Sequence, residues 1–145
     1  MKRLVKKPLG QLLKDRGLLK QEDLEKALAH QRKKGGLLGK IMVEMNLIDE
    51  SIITEALMIQ YGYPYMHIKN YSCDKEIVKL LPQEISREYC AIVIDRIEQV
   101  FILCICDPLN QEAIDTIKDR LKGKIRIFVS TMSEINQAID KIYKE

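Results

Sequence analysis

The sequence predicts an α+β fold in which a helical unit built from two sequence repeats precedes a small α/β sandwich of order ααββαβα. Three observations predict it. The first 62 residues superpose on themselves with an offset of 29, the apolar period changes after Gly62 from helical spacing to strand-like runs, and the later runs alternate with amphipathic stretches that carry their own start and stop signals. Residues 1–62 are therefore assigned to a helical tandem-repeat subdomain and residues 63–145 to an α/β subdomain.

The repeat runs without gaps from Leu9-Gly10 on Leu38-Gly39 to Gln31 on Gln60. Leu12-Leu13 fall on Ile41-Met42, Leu18-Leu19 on Leu47-Ile48, Leu24 on Ile53, and Ala27-Leu28 on Ala56-Leu57. Gly17 meets Asn46, the two residue types that best tolerate a left-handed backbone after a helix. Each copy therefore reads as a short helix, a Gly or Asn stop, an apolar pair and a longer amphipathic helix. Asp49 is the expected N-cap of the second long helix, and Gly62 with Pro64 ends it. Neither copy can bury its apolar stripe alone, so the two are expected to stack face to face.

In the second half, Asp74 to Leu81 and Pro82 to Tyr89 read as short helices, the latter with Pro in its first turn, where the missing N–H costs nothing. Ala91 to Asp95 and Gln99 to Cys106 are apolar, β-branched runs expected to pair as a hairpin across Arg96 to Glu98. The second run is apolar on both faces, as in a central strand covered on two sides. Asp107 and Pro108 are expected to cap and open the next helix, with Gly123 ending it. Lys124 to Ser130 alternates as a third strand, and Met132 to Tyr143 forms the last amphipathic helix, capped near Thr131 or Ser130.

Composition narrows the function. No apolar run is long enough to cross a bilayer, and the start MKRLVKKPLG lacks the features of a signal peptide, so a cytoplasmic location is expected. Cys73, Cys90, Cys104 and Cys106 form no CxxC pair and read as buried small hydrophobes; His30 and His67 stand in no metal spacing. Residues 1–40 carry 12 Lys+Arg against 4 Asp+Glu within a chain of net charge +3, so the basic half suits either an anionic partner or a solvated helical face. The stretch KKGGLLGKI imitates a phosphate-binding loop but fails the template GxxxxGK[ST]: Lys34 stands where the first glycine belongs, and Ile41 has no hydroxyl for a metal. No GxSxG, HExxH or Cys/His setting marks a catalytic centre.

The repeat and the DPLN helix start together resemble the N-terminal domain of the ATPases that drive type II secretion and type IV pilus assembly. The family form known as the MshEN domain carries two 24-residue motifs, RLGxxLLxxGLLxxxxLxxxLxxQ, five residues apart; here they fall on Pro8 to Gln31 and Leu37 to Gln60. The resemblance implies a non-enzymatic regulatory and docking domain, with no metal or other cofactor and with cyclic di-GMP as the candidate ligand. It implies ligand contacts from Leu9, Gly10, Leu13, Leu24, Leu28, Gln31, Leu38, Gly39, Lys40, Ile53, Leu57 and Gln60. The implied partners are the cytoplasmic part of an inner-membrane secretion or pilus assembly protein, which would hold the chain peripherally at that membrane, and a C-terminal or separate ATPase domain.

The motif's leading arginine is Pro8 in one copy and Leu37 in the other, Lys14 stands at an apolar position and Asn46 at a glycine. Neither Pro nor Leu can make the bidentate or stacking contacts of a guanidinium, though Lys7, Lys34 and Lys40 stand nearby as point charges. Two other readings stay open: an interaction module that has lost the nucleotide, and a basic nucleic-acid binder. Against the last, no helix carries Arg, Asn and Gln in a row on one face, and no specific nucleic acid is expected.

Overall fold

The computed structural model describes residues 6–144. The tandem repeat forms α1 (Leu9–Asp15), α2 (Gln21–Lys34), α3 (Leu38–Glu44) and α4 (Glu50–Tyr61). Both short helices close with the same C-terminal motif. Leu18 N–H donates to Leu13 O (2.9 Å) and Gly17 N–H to Lys14 O (2.9 Å); in the second copy Leu47 donates to Met42 (2.9 Å) and Asn46 to Val43 (3.0 Å). That pair of hydrogen bonds requires a left-handed residue, and Gly17 (φ 73°) and Asn46 (φ 57°) supply it as the sequence predicts. Gly62 plays the same part after α4, at φ 70°. Asp49 stands at the N-cap of α4, but its exposed carboxylate makes no capping bond.

The copies stack through reciprocal contacts at their glycines. Leu38 of the second copy packs over Gly10, and Leu9 of the first packs over Gly39. Leu12, Leu13, Met42, Ala27, Ala56 and Leu57 fill the interior between them, each at most 2% exposed.

The second unit contains α5 (Lys75–Val78), α6 (Gln83–Tyr89), β1 (Ala91–Ile97), β2 (Val100–Ile105), α7 (Gln111–Leu121), β3 (Lys124–Val129) and α8 (Met132–Ile142), preceded by a 3-10 turn at Ile68–Asn70. The sheet order is β1-β2-β3, antiparallel then parallel, with a bulge between Val93 and Asp95. The central strand β2 is buried on both faces, as its unbroken apolar run requires. Ile102 and Cys104 face α8, while Phe101, Leu103 and Ile105 face α7. The hairpin is tighter than the sequence suggests, because β1 continues to Ile97 and β2 begins at Val100.

The start of α7 corrects the sequence reading. Asn110, not Asp107, is the N-cap, its side chain accepting from Ala113 N–H at 3.2 Å. Asp107 instead closes a turn, its carboxylate accepting from Leu109 N–H (2.9 Å) while its carbonyl accepts from Asn110 N–H (3.3 Å). The cause is tertiary: Leu109 packs against the core of the helical unit, which holds residues 107–110 off the helical path, with Pro108 buried in the turn rather than opening the helix. At the other end the left-handed residue is Lys122 (φ 52°), not Gly123. Gly123 is needed for space, since a Cβ there would lie 2.8 Å from Phe101 Cε2. Thr131 caps α8 as expected, accepting from Glu134 N–H.

The two units share structure. Residues 64–66 run beside β3, with Val129 N–H donating to Pro64 O (2.9 Å), Met66 N–H to Val129 O (3.0 Å) and Ser130 Oγ to Met66 O (2.6 Å). Val129 belongs to the same buried cluster as Leu9, Leu13 and Leu57.

Candidate functional site

Where the helical unit meets the edge of the α/β unit, the surface opens into a cleft of about 510 Å³. One wall comes from the repeat, with Pro8 and Leu9 at the start of α1, Leu28 and Gln31 on α2, and Gly36, Leu37 and Leu38 where the spacer enters α3. The other comes from the end of α6, the turn before α7 and the first turn of α7, with Glu88, Tyr89, Asp107, Leu109, Asn110 and Glu112. Behind it lies a small void of about 20 Å³ bounded by Leu9, Gly39, Ile53, Asp107 and Ser130, room for about one water. Asp107 lines both spaces.

The residues implied by the resemblance separate into groups. Leu9, Leu28, Gln31 and Leu38 share the cleft wall, and Gly39 and Ile53 with Leu9 border the void behind it. Gly10 and Leu24 pack on each other beneath the surface, and Leu13 and Leu57 are fully buried between the copies. Lys40 is exposed and lies 3.9 Å from Glu44, a surface pair that leaves it largely free to reorient. Gln60 accepts from Arg16 at 3.3 Å and is absent from the cleft lining. The copies are thus equivalent in sequence but not in surroundings, because this cleft takes in the spacer end of α2 and leaves out the end of α4, while α4 packs against β3.

Gln31 Nε2 donates to Gly36 O (3.0 Å), which ties the long helix to its spacer and leaves the amide oxygen to accept from the cleft side. Desolvation at the unit boundary pushes Asp107 up to about 6, opposed by the Leu109 N–H bond. Across the cleft Tyr89 donates to Glu112 at 3.1 Å. Among the described residues the lining holds three carboxylates and no Lys or Arg, and Pro8 and Leu37 occupy the places of the motif's arginines. Asp107, Leu109, Glu88 and Glu112 came into the site only through folding. The single trace in the sequence was the DPLN turn, read there as a helix start.

A family model, the MshEN domain, matches residues 61–145. The type IV pilus assembly ATPase PilB of Myxococcus xanthus is 32% identical over 137 residues, covering 94% of this chain and 24% of the relative. PilB of Thermus thermophilus is 32% identical over 141 residues, covering 96% of this chain and 16% of the relative. The chain thus spans a quarter or less of the curated relatives it matches. Among solved structures, the N-terminal domain of XpsE superposes with a TM-score of 0.77 at 20% identity, over 97% of this chain and 96% of that one. MshE with cdg, cyclic di-GMP, superposes at 0.69 with 24% identity, over 95% of this chain and 100% of that one. These structures establish the shared mixed α+β fold. Among the described residues no helix is long and apolar enough to cross a membrane, and no group of three His, Cys, Asp or Glu could hold a metal ion.

Proposed function

The chain belongs to the MshEN domain family, and from that membership we propose that it is a non-enzymatic regulatory and docking domain of a type IV pilus or type II secretion ATPase system. Its partners would be the cytoplasmic part of an inner-membrane assembly protein and an ATPase domain, in the same polypeptide or a separate one, with location at the cytoplasmic side of that membrane. Alignment with PilB along 94% of the chain supports this reading.

Cyclic di-GMP is the proposed regulatory ligand, and the observation that carries it is the cleft. Leu9, Leu28 and Leu38 offer an apolar wall to a purine face, while Gln31 and Asp107 offer acceptors to the N1–H and N2–H₂ donors of a guanine edge. The phosphates would meet Lys34, in the spacer before the second motif, and Lys40, within its first turn. Gly10, Leu13, Leu24, Gly39, Ile53 and Leu57 would act by shaping the wall from beneath, and Gln60 would contribute only through a second contact surface.

One observation favours a second reading. A cleft lined by Glu88, Asp107 and Glu112 repels a dinucleotide with two negative charges, which suits an interaction module that docks without nucleotide. Calorimetric titration with cyclic di-GMP separates the two. Saturable heat that disappears in Gln31→Ala supports the ligand; no heat and an unchanged melting temperature at high ligand concentration would leave the docking role alone. In either case the double change Pro8→Arg with Leu37→Arg is expected to raise affinity at least about ten-fold by restoring two bidentate cations. Docking itself is tested by co-purification with the cytoplasmic part of an inner-membrane pilus or secretion assembly protein.

A further inference from the structure

A second concavity, of about 420 Å³, lies between residues 68–75 and the outer face of α8 and shares no lining residue with the cleft above. Its floor is apolar, from Ile68, Ala138 and Ile142. The polar groups along it divide by whether they already have partners. The Glu134 carboxylate accepts from Tyr65 OH (2.7 Å) and from Ile68 N–H (3.2 Å), with His67 Nδ1 3.8 Å away, so its charge is turned inward. Tyr71 donates its hydroxyl to Asp95, and the Cys73 thiol donates to Tyr71 O at 3.8 Å. Burial, aided by Asp95 and opposed by Lys141, pushes the Cys73 thiol up, so it is a neutral wall at physiological pH. What makes no hydrogen bond or ion pair along the groove is the ammonium of Lys69, the ammonium of Lys141, the Ser72 hydroxyl and the Gln137 amide.

The groove therefore presents hydrogen-bond donors and positive charge above an apolar floor, with its one carboxylate already satisfied. Its volume is within the range of small-molecule sites, roughly 300–1,000 Å³. We propose that this groove binds a small amphiphilic anion, a carboxylate or phosphate carried on a short apolar body, with Lys69 and Lys141 holding the anionic end and Ile68, Ala138 and Ile142 the body. The proposal does not depend on cyclic di-GMP, since the two sites lie on different parts of the fold.

The test is titration of the isotope-labelled chain with octyl phosphate below its micellar concentration, followed by amide chemical shifts. Saturable shifts confined to Tyr71, Ser72, Cys73, Gln137, Ala138 and Lys141 are expected, and neutral octanol should bind at least about ten-fold more weakly. The double variant Lys69→Glu with Lys141→Glu changes two exposed side chains, so its melting temperature should hold while octyl phosphate affinity falls at least about ten-fold; Lys141→Gln, the milder variant, should lose part of that affinity. Absence of saturation, shifts located on the tandem repeat, or equal affinity in the charge-reversed variants would overturn the proposal. Sedimentation with phosphatidylglycerol vesicles then separates the sources. Lysine-dependent co-sedimentation assigns the anion to a lipid headgroup, and binding of octyl phosphate without co-sedimentation assigns it to a free solute.

Discussion

Gly10 and Gly39 occupy the same position in the two repeats, yet only one of them is crowded. A Cβ at Gly10 would lie 2.6 Å from Leu24 Cδ1 and 3.2 Å from Leu38 Cδ2, both held in a packed interface, whereas at Gly39 the nearest atom is Leu9 Cδ2 at an ordinary 3.5 Å. Ala gains roughly 0.5–1 kcal/mol over Gly inside a helix, and overpacking costs about 1–3 kcal/mol. Gly39→Ala is therefore expected to match or exceed the parent in urea unfolding, and Gly10→Ala to be less stable than Gly39→Ala by about 1 kcal/mol or more. Asp107 yields a pH prediction. Its carboxyl is raised from 3.8 to about 6 in the folded chain, so the folded state holds its proton longer than the unfolded state and stability falls as pH rises between those values. The penalty is absent below 3.8 and complete above about 6. Asp107→Asn keeps an acceptor for Leu109 N–H and removes the charge. It should match the parent at pH 3.5 and exceed it at pH 7.5 by an amount on the order of 2 kcal/mol, measured by denaturant titration at both pH values.

Among the elements, α7 separates two roles that the sequence reading gave to one aspartate. Asn110 caps the helix and Asp107 forms the turn that leads into it. Asn110→Ala should therefore cost about 1 kcal/mol at every pH, in contrast to the pH-dependent gain from Asp107→Asn. At the other end Lys122 sits at φ 52°, a conformation that strains any residue with a Cβ. Lys122→Gly is expected to raise thermal stability modestly, by up to about 1 kcal/mol, and a loss of stability instead would show that the lysine stem packs usefully.

For the whole molecule, the division at residues 62 and 63 is proposed as a boundary between sequence units rather than between units of stability. Val129 lies in the helical core, Leu109 packs against it, and residues 64–66 hydrogen-bond along β3. A single unfolding transition is expected, with far-ultraviolet circular dichroism and tyrosine fluorescence giving the same midpoint. Two separate transitions would mean that the shared contacts are too weak to couple the units.

The sequence by itself determined the elements and their order. Two gapless repeats, with Gly17 and Asn46 after the short helices, specified a stop that local backbone energetics alone can impose, and the apolar run of β2 specified a strand covered on both sides. Such signals are local, because helix period, left-handed tolerance and strand alternation each involve residues a few positions apart. Only the tertiary structure decided the candidate site. It placed Leu109 in the helical core and so moved Asp107 from a cap into a desolvated turn. It also set Gln31 inside a cleft and Gln60 outside one, though the repeat makes them equivalents. The physical reason is asymmetry of environment: two copies of one motif can share every local preference, yet the α/β unit meets them differently, with the end of α2 bordering the cleft and α4 packing against β3, and no local pattern records which copy takes which place.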